Sequence, residues 1–597
     1  MKRNSLALRL ILSGLVAFAA PSAFAHTGSQ PSVHDTVAAI ILRMKRELKQ
    51  DSLVELTASQ VEAFLTPAER EILGTGHVHF HVNVPVVVTI VDDGSAEVPF
   101  WLLERGFKRG EKVSLLGRDC SIWEKQFPAG EIGLGIHNFT GRGKHYIVLL
   151  KPQQPGGAVK VTDLYPAQLR TAKFTAGVEP YVDQATRFPA VPASLEGQLL
   201  VQTASDSEDD ARLVSLFSKT QFPAPNKVDH VVLTWSEDPR TSQAIQWRTA
   251  TNITSGSVRY QLKSGDAKSA KTKRAKTQLL STPTILNDAV NNRHTVELRG
   301  LKAGGTYSYS VSDGSEKGWT EPVEFTTAPA GAVPFSFIYM GDAQNGLDKW
   351  GVLLHNAYRA RPDAAFYLMA GDLVNRGAER WDWDSFFEYS KDVFDRRPIV
   401  PVLGNHEYQA PEPVLYHAHF ALPHNGPKTI PDQRAYAFEY SNAKFIILDS
   451  NLSVAKQSAW LEKQLANTKA VWKFVSYHHP AYSSGGNRDN TDVRELWTPL
   501  FDKYHVDLAL QGHDHAYLRT YPMRGQKRAA TTKDGTVYVI SVSGVKHYEQ
   551  APHDYTEVGM MKVSTYQVLD IQIVGNRLVY RAHDLDGKVR DEFVIEK

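Results

Sequence analysis

Five short polar clusters, each placed directly after a short apolar run, are the residues of this chain best suited to chemistry. They carry carboxylate, amide and imidazole side chains. The clusters are Gly341-Asp342-Ala343-Gln344, Gly371-Asp372-Leu373-Val374-Asn375, Gly404-Asn405-His406-Glu407, Tyr477-His478-His479 and Gln511-Gly512-His513-Asp514-His515. The apolar runs have the length of buried strands, and ligands of α/β sheets collect beyond the carboxyl ends of strands. We therefore expect five strands to end at one edge and to bring these clusters together.

The donors in these clusters favour a pair of transition-metal ions. Mixed oxygen and nitrogen donors suit Zn, Mn or Fe better than Ca or Mg. The set is too large for one tetrahedral ion and about right for two, which need a bridging group such as a carboxylate. Two ions about 3.5–4 Å apart clamp a phosphoryl oxygen and turn bound water into hydroxide at neutral pH. The glycine before each donor is expected to let the backbone turn sharply off its strand.

The order Gly-Asp, Gly-Asp, Gly-Asn-His-Glu, His and Gly-His-x-His resembles that of the calcineurin-like metallophosphoesterases. Within that superfamily, residues 404–407 and 513–520 resemble the third and closing motifs of the purple acid phosphatases. The resemblance covers roughly residues 228–597. It implies an α/β catalytic domain built as a four-layer metallophosphoesterase β-sandwich flanked by helices.

The resemblance also implies a role for each matched residue. Six side chains are implied as ligands of two metal ions: Asp342, Asp372, Asn405, His478, His513 and His515. Asp342 and His515 bind the first ion, Asp372 bridges both ions, and the other three bind the second ion. His406 matches a histidine that is not a ligand and that faces the leaving group of the substrate.

The chain departs from the family pattern at the first ion. Purple enzymes have a tyrosine ligand three residues after the bridging aspartate, and here that position is Asn375. The wider superfamily often has histidine two residues after the first aspartate, and here that position is Gln344. Gln344, Asn375 or water is left to complete the site, and Tyr408 or Tyr517 is a further donor within reach of it. The expected cofactor is therefore two metal ions drawn from Fe, Zn and Mn.

Several other histidines are open to two interpretations. His479 lies beside a ligand, and we interpret it as a support for the site. Residues His417, His419 and His424 follow Glu407 in a long insert, and we interpret them as loop residues near the site. The run His77-Val-His-Phe-His81 places three imidazoles on one strand face. That face is either a surface metal site or a polar face toward solvent, and we favour the polar face.

Length and periodicity divide the 597 residues into four parts. Residues 1–25 form a signal peptide, and residues 26–225 form an N-terminal α+β region that is helical to about residue 75 and irregular from 159 to 226. Residues 226–330 form an all-β fibronectin type III-like sandwich, in which residues 301–307 resemble a tyrosine corner. Residues 331–597 form the catalytic domain, with helices near 348–360, 380–394, 455–468 and 490–503. The strands after residue 517 are expected to form a second sheet that closes its core.

The N-terminal residues predict where the protein is located, and the charge balance indicates which partners it binds. Basic side chains at positions 2, 3 and 9, an apolar run over residues 10–20 and Ala23-Phe24-Ala25 are typical of an export signal. We therefore expect a secreted or periplasmic protein with no membrane span after cleavage. Without residues 1–25, 64 basic and 65 acidic side chains remain, which argues against nucleic acid or an anionic membrane as a partner. Cys120 is the one cysteine, so an intrachain disulfide is excluded.

We therefore expect an exported, binuclear metal-dependent hydrolase of phosphate esters. The Gly404-Asn405-His406-Glu407 motif favours an acid phosphatase-like phosphomonoesterase that acts on a phosphorylated small molecule. A phosphodiesterase or nucleotide pyrophosphatase would share the same metal-binding residues. A non-catalytic surface-binding protein with a degraded metal site is the alternative outside the enzymes, and the weakened first site is what supports it.

Overall fold

The computed structural model describes residues 31–597 except for short segments. The segments left out are 95–96, 116, 142–144, 167–168, 182–186, 204–210, 267–268, 409–411, 486–487 and 489. The expected signal peptide at residues 1–25 and the acidic run at 206–210 both lie outside the described residues. Within the part of the chain that is described, no helix has the length and apolar character needed to cross a membrane.

The N-terminal region combines short helices with antiparallel sheets. Its helices are α1 (Val33–Glu47), α2 (Gln50–Val54), α3 (Ala58–Phe64), α4 (Pro67–Thr75) and α5 (Phe100–Glu104). Its strands are β1 (Val78–Val82), β2 (Val86–Asp92), β3 (Lys108–Leu115), β4 (Arg118–Phe127), β5 (Gly130–Leu134), β6 (Ile147–Pro152), β7 (Val161–Tyr165), β8 (Arg170–Lys173) and β9 (Leu199–Gln202). One sheet has the order β3-β4-β2-β6-β9-β8 and the other has the order β5-β1-β7. The expected helical start is found, since α1 to α4 precede the first strand.

Two expectations for this region have different outcomes. The segment 159–226 is not irregular throughout, because β7, β8 and β9 lie in it and β9 pairs with β6. That pairing joins residues about 50 positions apart, which local periodicity does not reveal. Strand β1 has Phe80 and Val82 in the core, while His79 is half-buried and His81 is exposed; His77, the third histidine of the run, precedes the strand. Exposure of His81 fits the polar face that we favoured, whereas His77 is half-buried and its ring lies 5.2 Å from that of His145.

Residues 228–327 form a β-sandwich. Its strands are β10 (Asp229–Thr234), β11 (Ser242–Thr249), β12 (Ser257–Leu262), β13 (Lys271–Arg274), β14 (Lys276–Ser281), β15 (Val290–Arg299), β16 (Thr306–Ser312) and β17 (Val323–Thr326). The two sheets have the orders β10-β11-β15-β14 and β13-β12-β16-β17. The Tyr307 hydroxyl accepts a hydrogen bond of 2.8 Å from the Lys302 backbone N–H, as the hydroxyl of a tyrosine corner bonds to nearby backbone.

The sandwich is fixed to the catalytic region by apolar and ionic contacts. Trp235 belongs to the same core as Phe366, and their ring centroids lie 5.5 Å apart. The Arg248 guanidinium lies 2.5 Å from the Asp384 carboxylate, and both side chains are buried. Removing one member of such a buried pair leaves an uncompensated charge, which costs about 3–5 kcal/mol. The sandwich therefore supports the catalytic region.

The catalytic region consists of two facing sheets covered by helices. Its strands are β18 (Phe335–Met340), β19 (Tyr367–Met369), β20 (Ile399–Pro401), β21 (Tyr436–Tyr440), β22 (Ala443–Ile447), β23 (Trp472–Ser476), β24 (Leu508–Gln511), β25 (Tyr517–Thr520), β26 (Met523–Arg524), β27 (Lys527–Arg528), β28 (Val537–Ile540), β29 (Thr556–Met560), β30 (Thr565–Gln572), β31 (Arg577–Asp584) and β32 (Val589–Glu596). Its helices are α6 (Leu347–Ala360), α7 (Arg380–Tyr389), α8 (Val414–His419), α9 (Val454–Asn467), α10 (Thr491–Leu496) and α11 (Thr498–Tyr504).

One sheet has the order β20-β19-β18-β30-β31-β32, and the other has the order β21-β22-β23-β24-β28-β25-β29. The two sheets face each other, because the ring of Phe337 in β18 lies 5.2 Å from that of Phe445 in β22 and 5.3 Å from that of Phe474 in β23. Leu461 of α9 and Phe501 of α11 pack on the outer face of the second sheet, and Trp350 of α6 and Phe386 of α7 pack with the first sheet. This is the expected four-layer sandwich flanked by helices.

The expected second sheet of C-terminal strands is not formed as such. Strand β28 joins β24 in parallel, and strands β30 to β32 extend the other sheet from β18 in antiparallel order. The single helix expected over 490–503 is two helices that meet at Trp497. Pro499 lies in the first turn of α11, where its missing N–H costs no helical hydrogen bond.

Candidate metal centre

The five polar clusters follow strands of two different sheets. Strands β18, β19 and β20 run parallel in the first sheet, with Met340, Met369 and Pro401 in register. Strands β23 and β24 run parallel in the second sheet, with Ser476 opposite Leu510. The expectation of one sheet edge is therefore corrected: the clusters meet between the adjacent ends of two stacked sheets.

Four of the predicted ligands have a backbone conformation that side chains rarely adopt. The φ angles are +46° at Asp342, +52° at Asp372, +75° at His513 and +43° at His515. A non-glycine residue in the left-handed region costs free energy and persists only where its surroundings hold it. Such strain gathers at functional sites, and here it turns the chain sharply at the ends of β18, β19 and β24.

The glycines beside these residues serve two purposes. Gly371 has a φ of +90° and provides the expected sharp turn. Gly404 and Gly512 do not have positive φ angles, so the expected reason is wrong for them. A Cβ at Gly404 would collide with the Asp372 carboxylate, and a Cβ at Gly512 would collide with that of Asp342. These two glycines therefore make room for the carboxylates.

The first group of donors consists of Asp342, Asp372 and His515, and their ligand atoms lie within 4.8 Å of one another. The His515 Nε2 lies 3.6 Å from the Asp342 carboxylate. The Gln344 amide nitrogen lies 3.0 Å from the Asp372 carboxylate and 2.9 Å from His515 Nε2. The Gln344 oxygen is buried and has no hydrogen-bond partner among the described residues. Rotation of this amide would therefore direct its oxygen toward the same group.

The second group consists of Asp372, His478 and His513, again within 4.8 Å of one another. The Asn405 side-chain oxygen lies 3.0 Å from His513 Nδ1 and 3.1 Å from His478 Nε2. The His478 Nε2 lies 3.2 Å from the Asp372 carboxylate. The structure therefore brings together all six residues predicted as ligands, and the Asp372 carboxylate is shared by both groups.

Hydrogen bonds to backbone carbonyls orient two of the imidazoles. The His478 Nδ1–H donates to the Ala370 carbonyl at 2.9 Å, and the His515 Nδ1–H donates to the Lys546 carbonyl at 3.0 Å. Each bond places the proton on Nδ1 and leaves the Nε2 lone pair for an ion. Metal-binding histidines commonly have such a partner.

Charges in the site favour the binding of cations. Burial lowers the pKa of His515 to about 4 and that of His513 well below its usual range, so both imidazoles are neutral. Against the effect of burial, Asp372 and Asp342 raise the pKa of His478 to about 9. The two carboxylates therefore attract positive charge, which metal ions would supply once that proton leaves. Two buried carboxylates, an amide oxygen and three imidazoles thus fit two transition-metal ions.

His406 lies beside the donors without joining either group. Its Nδ1–H donates to the Asn375 carbonyl at 2.6 Å, and its Nε2 lies 3.9 Å from the Asp372 carboxylate. Its side chain is 19% exposed, whereas the Asp372 side chain is 1% exposed. His406 therefore lines the opening of the site.

The other histidines have contacts of their own. His479 Nδ1 lies 2.8 Å from the Ser450 hydroxyl, and its ring lies 4.4 Å from that of His513, so it supports the site from the side. His417 and His419 lie in α8, and His419 is buried against Trp383 and Phe387 of α7. These two are helix residues, which corrects the loop expected for them.

The two tyrosines considered as replacement ligands are directed elsewhere. The Tyr408 hydroxyl donates to the Asp449 carboxylate at 2.5 Å. The Tyr517 hydroxyl donates to the Asp591 carboxylate at 2.6 Å. Neither hydroxyl therefore occupies the position of the family's tyrosine ligand.

Glu407 and Arg488 are part of the site but were not predicted from the sequence. Glu407 accepts hydrogen bonds from backbone N–H groups around Asp372, and Arg488 holds the buried Asp514 carboxylate at 2.7 Å. Glu407 ends the Gly-Asn-His-Glu motif, which is the one feature of the sequence that could have drawn attention to it. Arg488 lies outside the five clusters, where the sequence offers no comparable feature.

Comparison with known proteins is consistent with this geometry. Residues 335–517 match the family profile described as calcineurin-like phosphoesterase, and residues 228–327 match the one described as purple acid phosphatase, N-terminal domain. A purple acid phosphatase of Glycine max is 28% identical over 322 residues, which cover 50% of this chain and 67% of that protein. The Fe(3+)-Zn(2+) purple acid phosphatase 12 of Arabidopsis thaliana is 26% identical over 343 residues, which cover 53% of this chain and 70% of that protein.

Two further comparisons define the extent of the likeness. An uncharacterized protein of Mycobacterium tuberculosis is 29% identical over 282 residues, and the match spans 40% of this chain and about half, 51%, of that protein's length. The solved structure of a purple acid phosphatase from seeds of yellow lupin, Lupinus luteus, has a TM-score of 0.55 and 15% identity, and the match covers 88% of this chain and 91% of that one. At this identity the structural match shows a shared fold. The family resemblance inferred from the motifs is confirmed.

Proposed function

From its calcineurin-like phosphoesterase domain and its purple acid phosphatase N-terminal domain, we propose that this protein is a binuclear metal-dependent hydrolase of phosphate monoesters. The observation that carries the proposal is the position of Asp372, whose carboxylate belongs to both groups of donor atoms. A shared carboxylate sets the spacing of two ions, and a pair of ions suits phosphoryl transfer. The substrate is a phosphorylated small molecule.

The proposed ligands follow from the two groups. The first ion is held by Asp342, Asp372 and His515, with the Gln344 oxygen as a weak fourth donor. The second ion is held by the bridging Asp372 together with Asn405, His478 and His513. A neutral amide oxygen donates less charge than a phenolate, so the first site favours divalent Fe, Zn or Mn.

The protein's own residues position the substrate and donate one proton to the leaving group. When bound, the two ions would supply Lewis-acid stabilisation of the phosphoryl group and a nucleophile at neutral pH. The Asn375 carbonyl fixes the His406 ring by accepting from Nδ1–H, which leaves Nε2 at the opening of the site. A protonated Nε2 at this opening would donate its proton to the leaving oxygen.

The experiment is metal analysis of the purified protein together with a panel of phosphate esters. We expect about two ions per chain and faster hydrolysis of p-nitrophenyl phosphate than of bis(p-nitrophenyl) phosphate. A preference for the bis ester would identify a phosphodiesterase instead. Bound metal near zero would favour a non-catalytic binding protein.

The variant Asp372→Asn tests the bridge. We expect it to lose nearly all activity and at least one ion per chain, because a neutral amide cannot hold two cations at one point. Asp534→Asn changes the same functional group at an exposed position and should match the wild type in both measurements. Full metal content and full rate in Asp372→Asn would contradict the binuclear site.

The proposal includes export. It is supported by the basic start, the apolar run and Ala23-Phe24-Ala25 in the first 25 residues. Sequencing of the mature N-terminus should find His26 as the first residue of protein recovered outside the cytoplasm. A mature chain that still begins with Met1 would contradict export by this segment.

A further inference from the structure

The segment Lys546-His547-Tyr548 forms a wall beside the proposed ligand His515. The Lys546 carbonyl accepts from His515 Nδ1–H at 3.0 Å, and the Tyr548 N–H donates to the His515 carbonyl at 3.0 Å. The Tyr548 ring lies 4.7 Å from the His515 ring, measured between centroids. All three residues of the segment are half-buried. The segment therefore lies at the boundary between the metal centre and solvent.

Two cations lie against the ring of Tyr548. The Lys546 Nζ lies 5.2 Å from the ring centroid, and the Arg488 Cζ lies 5.1 Å from it. Contact with an aromatic ring holds a cation in place and removes part of its water shell. A partly dehydrated cation attracts an anion more strongly than a fully hydrated one does.

Arg488 is held in position by Asp514 and by the backbone of His513, which is also a proposed ligand. Its Nε donates to the Asp514 carboxylate at 2.7 Å, and its Nη2 donates to the His513 carbonyl at 3.1 Å. The Arg488 side chain is 32% exposed, whereas Asp514 is fully buried. A guanidinium has five N–H donors, so donors remain for a ligand on the exposed side.

Lys546 differs from Arg488 in its charge balance. The Asp514 carboxylate neutralises Arg488, but no ion pair involves Lys546 in the part of the chain that the structure describes. Glu549, the nearest acidic residue along the chain, lies 3.6 Å from Lys562 instead. The wall beside His515 therefore carries a net positive charge at the opening of the site.

We propose that Lys546 and Arg488, both packed on Tyr548, form a subsite for a second anionic group of the substrate, either phosphate or carboxylate. This inference rests on the proposed function, since the scissile phosphate occupies the metal centre while the second anion binds the wall. The preferred substrates are then small diphosphates or phosphorylated carboxylic acids, in which the two charged groups lie a few bonds apart.

The experiment compares kcat/KM for three substrates: phenyl phosphate, which has no second anion, inorganic pyrophosphate and 3-phosphoglycerate. For each charged substrate, the ratio of its kcat/KM to that of phenyl phosphate is measured. In Lys546→Gln we expect this ratio to fall at least fivefold, mainly through KM, and Lys546→Arg should restore it. A fall with one charged substrate alone assigns the subsite to that anion.

Controls distinguish failure of the subsite from failure of the phosphatase proposal and from misfolding of a variant. Lys533→Gln removes an exposed lysine away from Glu549 and should leave the ratios unchanged, and metal content and melting temperature identify any misfolded variant. Equal effects of Lys546→Gln on all three substrates would overturn the subsite and leave the phosphatase proposal standing. Failure of the metal-loaded wild type to hydrolyse phenyl phosphate would overturn the phosphatase proposal itself.

Discussion

The Glu407 carboxylate supports the bridging residue Asp372 through the backbone. It accepts hydrogen bonds from the N–H groups of Asp372 at 3.0 Å, Leu373 at 2.9 Å and Gly404 at 2.7 Å. Glu407 is 1% exposed, so it has little access to water. One buried carboxyl group therefore joins the turn after β19 to the turn after β20, and these turns carry Asp372 and Asn405.

Glu407→Gln should loosen the metal centre without touching a ligand. An amide retains one acceptor oxygen but places its NH₂ group against backbone N–H donors. Those buried donors lose their hydrogen-bond partner, and each loss costs about 1–3 kcal/mol of stability. We expect a lower melting temperature and fewer than two ions per chain after dialysis. The exposed Glu439→Gln is the matched control. Wild-type stability and metal content in Glu407→Gln would show that the turns hold without this carboxyl group.

His406→Ala should lower turnover while it leaves metal content close to that of the wild type. General acid catalysis contributes about 10²–10⁴-fold, and the loss should be smaller for p-nitrophenyl phosphate than for phenyl phosphate, because a good leaving group needs little protonation. His424→Ala, an exposed histidine paired with Asp432, is the control. Equal losses for both substrates would contradict a role at the leaving group.

The protein should be colourless as purified, and its iron-loaded, oxidised form should show no strong absorption band in the green-to-yellow region. The colour of the purple enzymes comes from a tyrosinate bound to ferric iron, and Asn375 stands at that position here. Because Tyr408 and Tyr517 donate to Asp449 and Asp591, neither is free to replace it. Asn375→Tyr should therefore introduce a visible absorption band. A band in the wild type that disappears in Tyr408→Phe would show that another tyrosine binds the iron.

Asp382 should make the stability of the protein depend on pH. Burial raises the pKa of Asp382 to about 7, whereas an aspartate in an unfolded chain titrates near 3.9. Between these values the folded protein keeps a proton that the unfolded chain has lost. This stabilising contribution is fully present below about pH 4 and is lost as the pH rises through about 7.

The measurement is the melting temperature from pH 5 to pH 8 at constant metal concentration. The wild type should lose more stability over this range than Asp382→Asn, which has no proton to release and still accepts from the Arg376 N–H. The exposed Asp534→Asn should follow the wild-type curve. Parallel curves for the wild type and Asp382→Asn would show that this carboxyl does not titrate in that range.

The sequence by itself determined the donors, the order of the motifs and most strands of the catalytic region. Strand β18 has the bounds Phe335–Met340, as the apolar run predicted. Each predicted ligand lies two to four residues beyond the end of a strand. A short apolar run next to a polar cluster is local information, so the clusters could be recognised from the sequence, and the family resemblance then implied which six side chains are ligands.

Only the tertiary structure decided how these pieces meet. The clusters come from two stacked sheets, the Glu407 carboxylate joins two turns, and Lys546 is placed against His515. The tertiary structure also decided that the Tyr517 hydroxyl donates a hydrogen bond to Asp591, 74 positions away in the chain. Each of these contacts joins residues that are distant in sequence. Their free energy depends on the burial and direction of both partners, and neither quantity exists until the chain has folded.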